Sequence, residues 1–116
     1  MNIEEIRTYC LEKTKVSEGM PFGDDTLVFK VCGKIFLLVN LEGPLHINIK
    51  GKPENVADRL DRYAEVKPGY HMNKMHWYMV DMEQVSDNSR IRTWIDESYN
   101  LIVAGLQKKM RDQLYQ

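Results

Sequence analysis

The stretch Tyr70-His71-Met72-Asn73-Lys74-Met75-His76-Trp77 holds two of the chain's three histidines with an asparagine, a lysine and a tryptophan, and it contains no acid. Two kinds of chemistry suit those residue types. A shared metal ion needs His71 and His76 on one side. Their spacing delivers that only if Asn73-Lys74 is a two-residue hairpin turn, which would set the two imidazoles opposite each other with Cβ atoms about 5 Å apart. Zinc asks for three or four ligands, neither cysteine nor carboxylate lies adjacent, and a lysine at the second turn position disfavours so tight a turn. No metal is expected here.

The second chemistry is nucleic-acid recognition. Lys67, His71, Asn73, Lys74 and His76 are hydrogen-bond donors, and Trp77 offers a face on which a base could stack. Lys30, Lys34, Lys50 and Lys52 form a further basic group, with Glu42 the sole acid between Thr26 and Lys52. A structural reading competes with this one: Trp77 belongs to the core, and the lysines keep strands soluble and protect sheet edges. Met72, Met75, Met79 and Met82 likewise either fill the core or offer adaptable contacts to a protein partner.

Catalysis finds less support. The glycine-rich phosphate loops, the nucleophile elbow and the HExxH zinc motif are absent. Cys32 and Ser98 have no histidine placed by spacing to activate them, and Asp24-Asp25 after Pro21-Phe22-Gly23 reads as a solvated turn. The segment Glu97-Ser98-Tyr99 reads as a helix break whose hydroxyls satisfy backbone groups. A protein without enzymatic activity or cofactor is expected.

The elements that must carry these residues follow from periodicity. Asn2-Ile3-Glu4-Glu5 has the form of a capping box, and Ile3, Ile6 and Cys10 continue a helix to about Lys15. Thr26 to Val31 alternates as a strand, Cys32-Gly33 turns the chain, and Lys34 to Val39 is apolar enough for a strand covered on both faces. Leu45 to Lys50 alternates strictly, with Leu45, Ile47 and Ile49 inward and His46, Asn48 and Lys50 outward. Pro53 opens a second helix whose stripe is Val56, Leu60 and Tyr63. Residues 66–82 read as one or two further strands. After Ser86-Asp87, Ile91, Trp94, Ile95, Ser98, Ile102 and Leu106 define a last helix that bends near Gly105.

Short connections make the strands mostly antiparallel. The expected fold is α+β, a two-layer sandwich of a five-stranded antiparallel sheet with helices on one face, in the order α-β-β-β-α-β-β-α. The 116 residues suit one domain, 1–116. With 43% hydrophobic and 28% charged residues the composition is that of a globular protein, and a net charge of −1 requires any nucleic-acid site to be a local patch. No apolar run reaches the roughly 20 residues of a membrane span, and two cysteines outside any C-x-x-C spacing fit a reducing, cytoplasmic setting.

The combination Pro21-Phe22-Gly23, Gly33-Lys34-Ile35-Phe36, His71-Met72-Asn73-Lys74-Met75-His76-Trp77 and Ser98-Tyr99, in this order and spacing, resembles the YjbR/MmcQ-like family of small bacterial proteins. The resemblance implies a fold like that of type III secretion chaperones. It also implies a non-enzymatic, DNA-binding role through a double-wing arrangement. The candidate contacts are then Lys30, Lys34, Lys50, Lys52 and Lys74 for phosphates, with His71, Asn73, His76 and Trp77 for positioning. The alternative partner is another protein or a second copy of the chain.

Overall fold

The computed structural model describes residues 1–69 and 72–114. Helix α1 (Ile3–Leu11) begins on the expected capping box: the Asn2 side chain accepts the Glu5 N–H, and the Glu5 carboxylate accepts the Asn2 N–H. The helix stops before Lys15, which takes φ 60° in the left-handed region and turns the chain into strand β1 (Val16–Gly19). Strands β2 (Thr26–Val31), β3 (Lys34–Asn40) and β4 (His46–Lys50) follow, then α2 (Pro53–Arg62) with Pro53 in its first turn. Strands β5 (Val66–Pro68) and β6 (Trp77–Asp81) precede α3 (Asn88–Ala104) and α4 (Lys108–Leu114).

The sheet is antiparallel throughout, in the order β1-β2-β3-β4-β6-β5. It has six strands where the sequence predicts five. The additional strand is β1, whose residues Val-Ser-Glu-Gly lack a periodic signal, so its extended form comes from pairing with β2 at the sheet edge. Two further differences concern the last helical region. Ser98 does not break α3, which runs without interruption to Ala104, and the bend expected at Gly105 is a full stop before α4.

The β2-β3 turn takes φ 49° at Cys32 and φ 79° at Gly33. Positive φ at both positions is the turn geometry whose twist matches paired strands. The register then shifts between Phe29 and Lys30, making Phe36 an extra residue on β3. Phe36 and Leu37 are both fully buried in consequence, which accounts for the unbroken apolar run in this strand.

Leu27, Phe29, Leu37, Val39, Ile47, Ile49, Tyr78 and Val80 pair across the sheet on one face and pack under the helices. Ile6 and Cys10 of α1, Val56 of α2, and Ile91, Trp94 and Ile95 of α3 close the core over them. Each such side chain taken fully from water contributes roughly 2 kcal/mol. Among the described residues no helix covers the other face, whose central row runs Val28, Leu38, Asn48, Met79 and Lys67 from β2 to β5.

Candidate functional site

Charge on the uncovered face is sorted along the strands. At one end of the sheet lie Lys30 on β2 and Lys50 at the end of β4, both on the uncovered face, with Lys74 on the turn into β6, whose first residue Trp77 pairs with Lys50. Lys34, at the start of β3, is at the same end but pairs with the core residue Val31 and so lies on the helix side. At the opposite end lie Asp24 and Asp25 before β2, Glu42 after β3 and Asp81 at the end of β6. Lys34 and Lys50 share a shallow cleft of about 160 Å³ with Leu101, Ile102, Gly105 and Leu106 at the C-terminal end of α3, where the helix dipole favours cations. Lys52 is separate. It precedes α2 in a cleft that also contains Asp96 and Glu97, so the expected five-lysine surface divides into four and one.

Among the described residues none of these five lysines forms an ion pair, whereas on the helix side Arg7, Lys13, Arg59, Arg62 and Arg90 all do. Arg7 holds the Glu18 carboxyl below the usual carboxylate range through its hydrogen bond and charge.

The described residues of the motif before Trp77 lie in the loop that joins the paired strands β5 and β6 and do not form a two-residue hairpin turn at Asn73-Lys74. The Asn73 side chain accepts the Met75 N–H, and its carbonyl accepts the N–H groups of His76 and Trp77. The His76 carbonyl in turn accepts the Gly51 N–H at 2.9 Å, tying the turn to the end of β4. His71 lies outside the described residues. Trp77 corrects the expectation of a core residue: it pairs with Lys50, alternates away from buried Tyr78, and stands half-buried outside the cluster beneath the helices. Of the four methionines only Met82 belongs to that core; Met72 and Met79 are half-buried and Met75 is exposed.

Two motif segments meet over the uncovered face. Phe22, from Pro21-Phe22-Gly23, and Met72 flank a cleft of about 520 Å³ whose floor includes Leu38 and Asn48. Asp25, Thr26, Asn40 and His46 line its acidic end. Asn48 was expected to face water, yet it is only 9% exposed. Sequence periodicity places Asn48 on the outer face but contains nothing about the loops that cover it.

Sequence reasoning also missed a polar cluster on the helix side. Arg59 donates both guanidinium nitrogens to Glu97 at 3.0 Å and one of them to the Tyr78 hydroxyl at 2.7 Å, while Asn55 donates to Glu97 at 3.1 Å. The guanidinium stacks over Trp94, 4.7 Å from the ring centroid. Burial pushes the Tyr78 phenol well above its ordinary value, against the lowering influence of Arg59. A Cβ on Gly51 would lie 3.1 Å from Glu97, Tyr78 and Val56, so the close approach of β4 to this cluster favours glycine. The cluster locks α2 and α3 to β6 and faces no cleft on the uncovered side. No group of three or more His, Cys, Asp or Glu side chains able to hold a metal occurs among the described residues.

A six-stranded antiparallel sheet clad on one face, with converging loops over the other, defines a small α+β module, and comparison with known proteins identifies its family. The YjbR family model matches residues 11–101, and the chain belongs to that family. The uncharacterized protein YbdF of Escherichia coli is 40% identical over 111 residues, covering 95% of this chain and 89% of that protein. The uncharacterized protein YjbR of Escherichia coli is 27% identical over 117 residues, covering 100% and 99%. The crystal structure of Deinococcus radiodurans protein DR2400, with the domain DUF419, superposes with a TM-score of 0.88 at 30% identity, covering 97% of this chain and 87% of that one. A crystal structure of a Pseudomonas syringae protein gives a TM-score of 0.76 at 26% identity, covering 87% and 98%. Among the described residues no helix is long and apolar enough to cross a membrane.

Proposed function

We propose that this protein is a non-enzymatic nucleic-acid-binding module that grips the phosphate backbone with the lysine end of its sheet. The observation that supports this reading is the gathering of Lys30, Lys34, Lys50 and Lys74 at one end of the sheet, Lys30 and Lys50 on the uncovered face and Lys34 around the edge on the helix side, without ion pairs among the described residues. Lysines without carboxylate partners keep their charge available to phosphate, and sorting the acids to the far end limits repulsion of the polyanion. DNA is the polymer implied by the family resemblance, and the intracellular, cytoplasmic setting follows from that partner.

Anisotropy of a labelled DNA duplex at low salt tests the reading. Binding that weakens sharply when Lys34→Glu and Lys74→Glu are combined supports it, and binding that survives the double reversal contradicts it. A second reading draws on the opposite end, where Met20, Phe22 and Leu41 are 42%, 64% and 40% exposed. The Leu41 N–H donates to the Asp25 carbonyl at 2.8 Å, so these apolar side chains come from two joined loops that could pack on a protein partner or a second copy. Light scattering separates the two readings, since self-association through this end predicts a dimer that Phe22→Ser returns to monomer.

A further inference from the structure

We infer that the cleft between Phe22 and Met72 receives one unstacked nucleobase, with the attached phosphate directed toward Lys30 and Lys50. The inference rests on the nucleic-acid reading of the lysine end and adds what that end by itself does not specify, a preference for an unpaired nucleotide.

The walls suit a planar ring. Phe22 lines the cleft while 64% exposed, which suits an aromatic ring for stacking, and Met72, which also lines it, has a thioether that can adapt to an aromatic edge. Leu38 supplies an apolar floor, and the volume of about 520 Å³ lies in the range of small-ligand sites. The polar rim is selective because several of its groups are already engaged. Asn40 donates to the carbonyls of Glu42 and Pro44 and accepts the His46 N–H, which leaves it no amide hydrogen for a ligand.

His46 Nδ1 lies 3.2 Å from the Pro44 carbonyl, which can only accept. With the ring proton on Nδ1 to serve that carbonyl, Nε2 is left as an acceptor. Asp25 receives the Thr26 hydroxyl on one oxygen, and its other oxygen makes no hydrogen bond among the described residues. A rim of acceptors calls for a ligand edge that donates. Adenine and cytosine carry an exocyclic amine, and thymine has a carbonyl oxygen in its place.

The phosphate follows from strand geometry. Lys50 stands two residues beyond Asn48 on the same face of β4, and Lys30 two beyond Val28 on β2, a step of about 7 Å along each strand. A sugar spans such a gap. Base in the cleft and phosphate at the lysines thus use both ends of the charge gradient at once.

The test compares labelled oligo(dA), oligo(dT) and a duplex of equal length by anisotropy, with the wild-type chain and with Phe22→Ala, whose exposed position spares the fold. Expected are tighter binding of oligo(dA) than of oligo(dT) or duplex, and a loss of about fivefold or more for oligo(dA) in Phe22→Ala, with duplex affinity unchanged. Competition by free dAMP identifies the source of the base: displacement at concentrations similar to the oligonucleotide's supports capture of a free nucleotide, and its absence supports capture from a strand. Equal binding of duplex and single strand, or an oligo(dA) affinity untouched by Phe22→Ala, overturns the inference while leaving the phosphate grip intact. Failure to bind any strand overturns both.

Discussion

The Ser98 hydroxyl, midway along α3, accepts the backbone N–H of Lys50 at 2.9 Å while donating its own hydrogen to the Phe36 carbonyl. Phe36 is the extra residue of the β3 bulge, and the last β3-β4 pair before it is Leu37 with Ile49. One fully buried hydroxyl therefore satisfies two backbone groups where the ladder ends, and it fixes Lys50 at the lysine end of the sheet. Ser98→Ala strands both groups away from water and should cost about 2 kcal/mol. A lowered urea midpoint with an unchanged m-value would report it, and an unchanged midpoint would show that water replaces the hydroxyl.

The Arg59-Glu97 pair predicts a contrast between two ion pairs. Their side chains are 11% and 22% exposed, and Glu97→Ala leaves a mostly buried guanidinium facing Tyr78 and Trp94. The expected loss is about 3 kcal/mol. Arg7→Ala at the exposed pair with Glu18 should barely move the denaturation midpoint. Equal effects at the two sites would contradict the structural role given to the buried cluster.

Alkaline titration should destabilise the fold from α1. Burial pushes the Cys10 thiol from 9.0 up to about 12. Burial, then the hydrogen bond to Asp96, pushes the Tyr9 phenol from 10.0 to about 12. Both folded values are raised, so the protonated forms are the ones the native state favours. Their stabilising effect is complete below pH 9 and is lost as the pH rises from about 9 to 12. Urea midpoints should fall across that window, and Cys10→Ala should flatten the part beginning near pH 9. A midpoint constant to pH 12 would show that α1 opens freely to solvent.

Gly69 approaches Trp77 so closely that a side chain would require one of them to shift. A Cβ there would lie 3.0 Å from the Trp77 carbonyl oxygen and 3.1 Å from its carbon, both backbone atoms. Gly69→Ala should therefore cost about 1–3 kcal/mol by pushing the chain before the turn away from β6. Thermal unfolding measures the cost, and Trp77 fluorescence should change with it. An alanine variant as stable as the parent would mean that β5 shifts to make room.

The sequence carried much of this fold because strong local signals agreed with the tertiary arrangement. The Asn2 capping box, the Cys32-Gly33 turn, Pro53 at the start of α2 and the alternation through Ile47 and Ile49 are each decided by neighbours in the chain. Strand β1 was illegible because Ser17 and Glu18 become extended only by pairing with Lys30 and Phe29. Trp77 was misplaced since an aromatic strand residue suits either face, and only its register with Lys50 selects the uncovered one. Ser98 looked like a helix breaker for a related reason: its partners lie on β3 and β4, far away in sequence. At the site, the lysines could be named from composition, but the separation of Lys52 by Asp96 and Glu97 required the packing of α3 beside α2. The cleft joining Phe22 to Met72 required the folded sheet between them.

The central claim is that Lys30, Lys34, Lys50 and Lys74 hold phosphates, and the salt dependence of DNA binding measures it most directly. If the four lysines contact four phosphates, log K for a duplex should fall with log salt at a slope of roughly −3.6, and combining Lys34→Glu with Lys74→Glu should make the slope shallower by roughly 1.8. No binding at tens of micromolar protein, or a slope unchanged by the double substitution, would contradict the account.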